Sequence, residues 1–383
     1  MIGVAIQMLV GDKMKFFALI IGLSFASMMI AQQASIFTGY AMRAGAWVRD
    51  TAQADLWVMD PQVEVTIDFK RMTDTQLQRV RGVQGVSWGV PMFVGGLIAR
   101  LPDGTIQAIR LVGLDDGTLI GAPPGMAEGE LADLRRDRGV FVDQRDLTGL
   151  LRARRDTSAP ALAIGSRLDI NDHEVEVTGL YRKTAEFFWE PTIYTTYSRA
   201  LKIAPPERKT LQYVLVKVAE GHDPAQVAEA IRSETGLAVY TGPQFARLST
   251  WYVLIQTGIL INFGITIALG FVIGALVSGL LLYTFVTENS RAFAALKAMG
   301  TTNGRVVGMV VVQALVAGLI GFGLGVGMAA INGHVAGSDG QLAFKMVWQV
   351  PVIAGVGVLA CCVLAAVVSL SRVLTLEPAV VFK

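Results

Sequence analysis

A chain of 383 residues that is 52% hydrophobic and only 17% charged, with mean hydropathy +0.50, does not have the composition of an ordinary soluble enzyme; it reads as an integral membrane protein carrying a sizeable polar part. The formal net charge of +2 is not gathered into a basic stripe, which argues against a nucleic-acid partner. The only two cysteines, Cys361 and Cys362, are neighbours in an apolar run, where a helix points them in different directions, so they read as small packing residues rather than a disulfide.

Lys13 and Lys15 precede an apolar run over residues 16–37. A basic flank before such a run fits a signal peptide or a first membrane helix. The run is long enough to span, and Ala31-Gln32-Gln33-Ala34 is a poor cleavage site, so the helix is the preferred reading.

From residue 38 to 250 helical and strand patterns alternate as in an α+β domain. Residues 55–59 and 63–67 read as strands, and residues 73–81 as a helix with Thr73 as N-cap, Gln76 in the capping-box position and Gly82 as its stop. Residues 90–101 and 105–114 form a hairpin across Asp103-Gly104. Residues 121–163 read as an exposed, irregular insertion with one strand at 139–142; its arginines Arg135, Arg136, Arg138, Arg152, Arg154 and Arg155 read as a solvated face. A second hairpin, 168–170 with 174–180, turns on Asn171-Asp172. Phe187, Phe188 and Trp189 cannot all face one core: they are a candidate surface for a partner or apolar substrate, or they are buried between two subdomains. Strands at 192–196 and 211–218 follow, then a helix over 223–235 capped by Asp223, with Pro224 in its first turn and Gly236 as its end.

Residues 252–286 are too many for a helix that merely spans, and read as a stalk that continues into the bilayer, with Trp251 and Tyr252 at the interface. Residues 283–305 join this span to the next. They have the makings of a short amphipathic helix started by Asn289 or Thr287 and ended by a left-handed Gly300, with Ala292, Ala295, Leu296 and Met299 on one face and Arg291 and Lys297 beside it; a solvated turn fits the spacing equally well. The third span, 306–331, carries Gly318, Gly321, Gly323, Gly325 and Gly327. Gly318, Gly321 and Gly325 are the candidate helix-packing positions, the last two as a GxxxG pair. A polar loop over 332–345 leads to a fourth span at 347–370. Lys13, Lys15, Arg291, Lys297, Arg305, Arg372 and Lys383 fall on one side of these spans and Lys345 on the other, which by the positive-inside rule places both termini in the cytoplasm and residues 38–250 outside.

The three histidines, His173, His222 and His334, lie in separate segments without metal-ligand spacing. There is no GxxxxGK[ST] phosphate loop and no GxSxG elbow, and the spans hold almost no ionisable residue for ion coupling. Energy for any work has to come from a partner.

The one-plus-three spacing of spans, Tyr283 to Glu288 and Arg291 leading into Ala295-Leu296-Lys297-Ala298-Met299-Gly300, the glycine-rich third span and the tail Leu376-Glu377-Pro378-Ala379 resemble the FtsX/MacB/LolC-type ABC transporter permease family, in its DevC-like branch. The resemblance implies a membrane α-helical fold of four transmembrane helices with an extracytoplasmic α+β domain between helices 1 and 2. Residues 1–37 are then the cytoplasmic N-terminus and first helix, 38–250 the MacB-like domain, and 251–383 the stalk, helices 2–4 and the FtsX-like permease domain. It further implies a non-enzymatic subunit of a bacterial inner membrane that binds no cofactor itself. ATP and Mg would be used by a partner ABC ATPase, which docks at Glu288, Arg291, Ala295, Leu296, Lys297, Met299 and Gly300. A second permease copy in a homodimer, membrane lipids, a membrane-fusion protein and an outer-membrane channel are the other expected partners, with no nucleic acid. Two functions follow from the resemblance: export of a lipid, glycolipid, peptide or drug, or activation of an external cell-wall hydrolase by a signalling permease. An outer domain of about 210 residues favours the exporter.

Overall fold

The computed structural model describes residues 2–51, 53–152, 162–187, 190–206, 210–337 and 342–375. In chain order the elements are α1 (Ile2–Gly11), α2 (Lys13–Ala44), α3 (Ala46–Asp50), β1 (Leu56–Met59), α4 (Asp74–Arg81), β2 (Val86–Arg100), β3 (Ile106–Leu114), β4 (Gly125–Glu128), a 3-10 turn (Leu131–Arg135), β5 (Gly139–Asp143), α5 (Gln144–Thr148), β6 (Arg167–Ile170), β7 (His173–Arg182), β8 (Thr192–Thr196), α6 (Tyr197–Ile203), β9 (Tyr213–Val218), α7 (Pro224–Thr235), β10 (Ala238–Thr241), α8 (Gly242–Gln256), α9 (Ile259–Glu288), α10 (Ser290–Ala298), α11 (Asn303–Gly337) and α12 (Gln349–Thr375). They divide into two units, residues 1–41 with 255–383, and residues 42–254.

In the first unit four helices are long and apolar enough to cross a membrane: α2, α9, α11 and α12 up to Ser369. Leu269, Leu276 and Leu280 on α9 and Val356, Leu359 and Val363 on α12 are exposed, as helices solvated by lipid require. Inside, small residues let backbones approach. A Cβ placed on Gly321 would lie 2.7 Å from that of Leu23, and one on Gly325 would lie 2.5 Å from Ser27 Cβ and 2.8 Å from Met28 N, so the GxxxG pair is the seat of α2. Gly318 faces Cys362 on α12, whose Sγ lies 3.3 Å from the Ala314 carbonyl. Both cysteines are free and buried.

Two readings of this unit need correction. The N-terminal residues are not a plain basic flank but α1, which buries Ala5 and Leu9 in the bundle. The expected continuous stalk over 252–286 is interrupted: α8 ends at Gln256, α9 starts at Ile259, and Gly258 between them has φ 70°. Without a Cβ, glycine takes that left-handed conformation at little cost, and the apolar composition running through it gives no hint of the break.

The second unit is built on a ten-stranded sheet in the order β10-β1-β9-β2-β3-β8-β5-β7-β4, with β6 pairing with β2 and β7. β3 runs parallel to β8 and β5 parallel to β7; the other pairs are antiparallel. The local signals hold. β2 and β3 pair from Phe93↔Gly113 to Arg100↔Ile106, and β6 and β7 turn on Asn171 and Asp172, at φ 49° and 62°, the geometry of the tight turn that suits these two residues. The Asp223 carboxylate caps α7 through Ala225 N, and the helix ends at Gly236.

Residues 63–67 are not a strand, although Val63 and Val65 are buried. Thr73 makes no capping hydrogen bond to α4; its hydroxyl pairs with that of Thr75. The larger correction concerns 121–163. Its described part is not an exposed insertion: β5 lies inside the sheet between β8 and β7, with Val140, Phe141 and Val142 fully buried, and Leu134 and Leu147 join the core. The apolar residues come in groups too short to show a period, and their neighbours in space are distant in sequence.

Candidate functional site

One end of the membrane bundle is built where α9 hands over to α10 and α10 to α11. Asn289 and Thr287 do not cap α10. Asn289 Nδ2 donates to the Phe285 carbonyl at 2.9 Å and Thr287 Oγ1 to that of Tyr283 at 2.8 Å, so both side chains serve the last turn of α9. The chain then turns at Asn289, whose backbone carbonyl accepts from Phe293 N at 3.1 Å. Gly300, at φ 89°, ends the helix as expected, and Thr301 N returns to the Leu296 carbonyl at 3.1 Å.

The face α10 turns inward differs from the expected one. Phe293 is buried with Leu9, Leu282, Phe285, Val306 and Met309, Leu296 is half-buried against the same cluster, and Ala294 is buried as well. Phe293, the largest apolar side chain in the segment, takes the inner position, and Ala292 is left exposed. Ala295 and Lys297 are half-buried, while Glu288, Arg291, Met299 and Gly300 are exposed, Met299 at 75%. Of the expected apolar face, Ala292 and Met299 therefore remain open, Met299 as the larger apolar side chain, with Arg291 beside Ala292 at the other end of the helix.

Two elements that sequence reading did not assign complete this end. α1 rests against α11, where the buried Gln313 donates from Nε2 to the Ala5 carbonyl at 2.8 Å. Asp12 then starts α2, accepting from Lys15 N at 3.3 Å and from Lys15 Nζ at 2.7 Å, and the same ammonium pairs with Glu288. The hydrogen bond from Lys15 holds the Asp12 carboxyl below the usual carboxylate range. Gly11-Asp12 ahead of an apolar run was the available signal, a helix stop followed by an N-cap.

In the second unit Phe187 is half-buried, and Phe188 and Trp189 lie outside the described residues. Beside Phe187 a buried ion cluster is held. Glu186 pairs with Arg110 and, at 2.7 Å, with Lys183, whose Nζ also reaches Thr192 Oγ1 at 2.7 Å. The Arg110 guanidinium lies 5.4 Å from the centre of the Trp47 ring, whose Nε1 donates to Tyr194 OH at 3.2 Å. Asp50, at the end of α3, accepts from Thr184 N and Oγ1 at 2.8 and 2.9 Å. Burial raises the Glu186 carboxyl, but Arg110 and Lys183 outweigh it and hold it below the usual range. Asp146 on α5 goes the other way: burial, opposed by Lys183 and reinforced by Asp143, pushes it to about 6, and its Oδ2 has no partner.

Arg135, Arg136, Arg138 and Arg152 are exposed, as the solvated-face reading expects, and three of them also hold structure. Arg135 donates to the carbonyls of Asp116 and Gly117, Arg136 pairs with Asp133 at 2.7 Å, and Arg138 pairs with Glu174. Arg154 and Arg155, like the tail from Leu376, lie outside the described residues. A recess of about 460 Å³ opens between Phe69, Arg71, Gly95, Thr210 and Gln212. Among the described residues no group of three His, Cys, Asp or Glu side chains is placed to hold a metal.

Two family models match the chain. Residues 264–378 match the model of the FtsX-like permease C-terminal, and residues 16–234 that of the MacB-like periplasmic core domain. The chain belongs to the FtsX/MacB-type ABC permease family, with the sheet-bearing unit as its MacB-like periplasmic domain and an ABC ATPase as the partner the family implies. Among solved structures it is similar to the extracellular domain of the noncanonic ABC-type transporter YknZ from Gram-positive bacteria, at 15% identity over 49% of this chain and 99% of that one, with TM-score 0.34. It is also similar to the periplasmic region of MacB from Actinobacillus actinomycetemcomitans, at 11% identity over 51% and 92% of the two chains, with TM-score 0.36. No curated protein matches the chain.

Proposed function

We propose that this chain is the permease subunit of an ABC-type exporter, working as a homodimer in a bacterial inner membrane with both termini in the cytoplasm. A partner ATPase, which uses the ATP and Mg, docks on the segment from Glu288 to Gly300. Nucleotide-driven closure displaces α10, and the bundle passes the displacement to the periplasmic unit. That unit moves a lipid, glycolipid, peptide or drug outward, towards a membrane-fusion protein and an outer-membrane channel. The observation that carries this reading is the build of α10, whose Phe293 is locked into the bundle while Arg291 on the helix and Met299 at its C-cap stay exposed. A rigid foot with an apolar and a cationic contact is what a soluble motor needs in order to grip and push. The absence of a phosphate-loop sequence from the chain fits a subunit driven from outside.

Met299→Asp tests it. Exposed as it is, this side chain can be replaced without disturbing the bundle. Stimulation of the partner's ATP hydrolysis should be lost while membrane insertion and melting of the permease stay as in the wild type. Leu296→Asp should lose stimulation too, with some loss of stability from its half-buried site. Undiminished stimulation in Met299→Asp would remove α10 as the docking element.

A further inference from the structure

The described part of the membrane unit contains only two carboxylates, Asp12 and Glu288, and both are drawn to a single ammonium, that of Lys15. Among the described residues, Lys13, Arg291 and Arg305 at this end of the bundle make no ion pair with either carboxylate. The convergence joins positions far apart in the chain: Asp12 lies between α1 and α2, Lys15 in the first turn of α2, and Glu288 at the last residue of α9, two positions before α10 starts, 273 residues from Lys15. Lys15 is badly placed for its own helix, since the first turn of a helix disfavours a cation. Its side chain is only 24% exposed, and the two carboxylates offset that placement. A lysine kept there at the expense of its own helix is better explained by what it connects.

What it connects is the foot to the first span. α10 is covalently continuous with α9 and, through residues 299–302, with α11; it has no sequence link to α2. Building on the docking reading above, we propose that Lys15 is a positioning residue for coupling: its clasp on Glu288 makes α2 follow α10, so that a push on the foot reaches the first span as well as the second and third. Asp12 keeps the ammonium oriented and ties α1 into the same joint. α2 continues to Ala44, past the unit boundary at residue 41, so the helix the clasp recruits is the one that leads into the periplasmic unit.

The test uses the full-length permease in native membranes and, purified with the ATPase that accompanies the wild type, in lipid nanodiscs. Lys15→Met should lower stimulated ATP hydrolysis at least about fivefold, the lower end of usual coupling between sites, while the same amount of ATPase stays bound, and Glu288→Gln, which also alters the docking segment, should lower it at least as far. Lys15→Arg should keep activity, and the exchanged pair Lys15→Glu with Glu288→Lys should recover most of it, while the melting temperature of Lys15→Met stays at the wild-type value, which a merely structural role would not predict. In membranes, Lys15→Cys with Glu288→Cys, in a Cys361→Ala, Cys362→Ala background, should cross-link with a bis-maleimide long enough to replace the two lost side chains, since a direct disulfide needs Cα atoms within about 7 Å. A missing cross-link overturns the clasp itself. Wild-type hydrolysis in Lys15→Met, or an exchanged pair as poor as the single variants, overturns its role in coupling. A wild type that retains no ATPase sinks the docking reading and the relay with it, while the cross-link still reports on the contact.

Discussion

Glu186→Gln removes one negative charge from a site where two cations depend on it. The Glu186 and Arg110 side chains are 6% and 1% exposed, and Lys183 is 10% exposed, so water cannot take over the lost interaction. Breaking a buried pair in this way costs about 3–5 kcal/mol, because the abandoned charge stays desolvated. For a unit of this size each kcal/mol moves the melting temperature by about 2–4 °C, so the variant should melt roughly 6–20 °C lower, with Trp47 under Arg110 as a local fluorescence reporter. The pH dependence has a definite sign. The Glu186 carboxyl sits below its ordinary 4.5 in the folded protein, so its contribution is complete above that value and is lost as pH falls through the lowered one. Glu186→Gln should lose that part of the acid sensitivity. Arg110→Met and Lys183→Met with Glu186→Leu, which removes all three charges and fills the space, should recover much of the loss. Thermal unfolding of the full-length protein in detergent measures all three, with the exposed Glu190→Gln as control. A Glu186→Gln melting point within about 2 °C of that control would refute the argument that this cluster is a buried and interdependent unit.

Asp146→Asn should stabilise the protein at pH 7. Its folded value near 6 lies above the ordinary 3.8, so stability falls as pH rises between the two, by at most about 3 kcal/mol, and the asparagine variant should flatten that stretch of the melting profile; a lower melting point at pH 7 would contradict the assignment. Gly325→Leu should push α2 off α11 and cost about 1–3 kcal/mol or more, seen as early melting and poor recovery from the membrane, whereas Gly323→Leu, with no atom within 4 Å of its added Cβ, should behave as wild type. Phe293→Ala should cost about 3–5 kcal/mol and loosen α10, so hydrogen exchange over residues 290–298 should quicken; exchange as slow as in the wild type would show that the helix does not depend on this anchor.

What sequence could reveal was set by range. The α7 cap at Asp223, the turn at Asn171-Asp172 and the strand Thr192–Thr196 depend on residues a few positions apart, and each stands where its pattern places it. The four spans are legible because a bilayer demands a long apolar run. β5 was legible as a strand but not as a central one, since its partners β7 and β8 come some forty to fifty residues later and nothing in Gly139–Asp143 names them. α1 is too short to span, and its apolar side acquires meaning only against α11 and the Gln313 amide. The break at Gly258 is a matter of one backbone angle inside an apolar run.

The foot shows why spacing alone left two readings open there. A helix of nine residues is marginal in water, so no periodicity in residues 290–298 could decide between a helix and a solvated turn. The decision lies in the bundle, which offers Phe293 a site among Leu282, Phe285 and Val306 and thereby supplies the stability the segment lacks by itself. On the docking reading proposed above, the same dependence makes the helix useful. An element that folds only while packed cannot shift as a loose loop, so a force applied at Met299 and Arg291 has to be carried by Phe293 into α9 and α11. An apolar residue left exposed and one that anchors look alike in sequence, and only the direction each takes from the helix axis separates Met299 from Phe293.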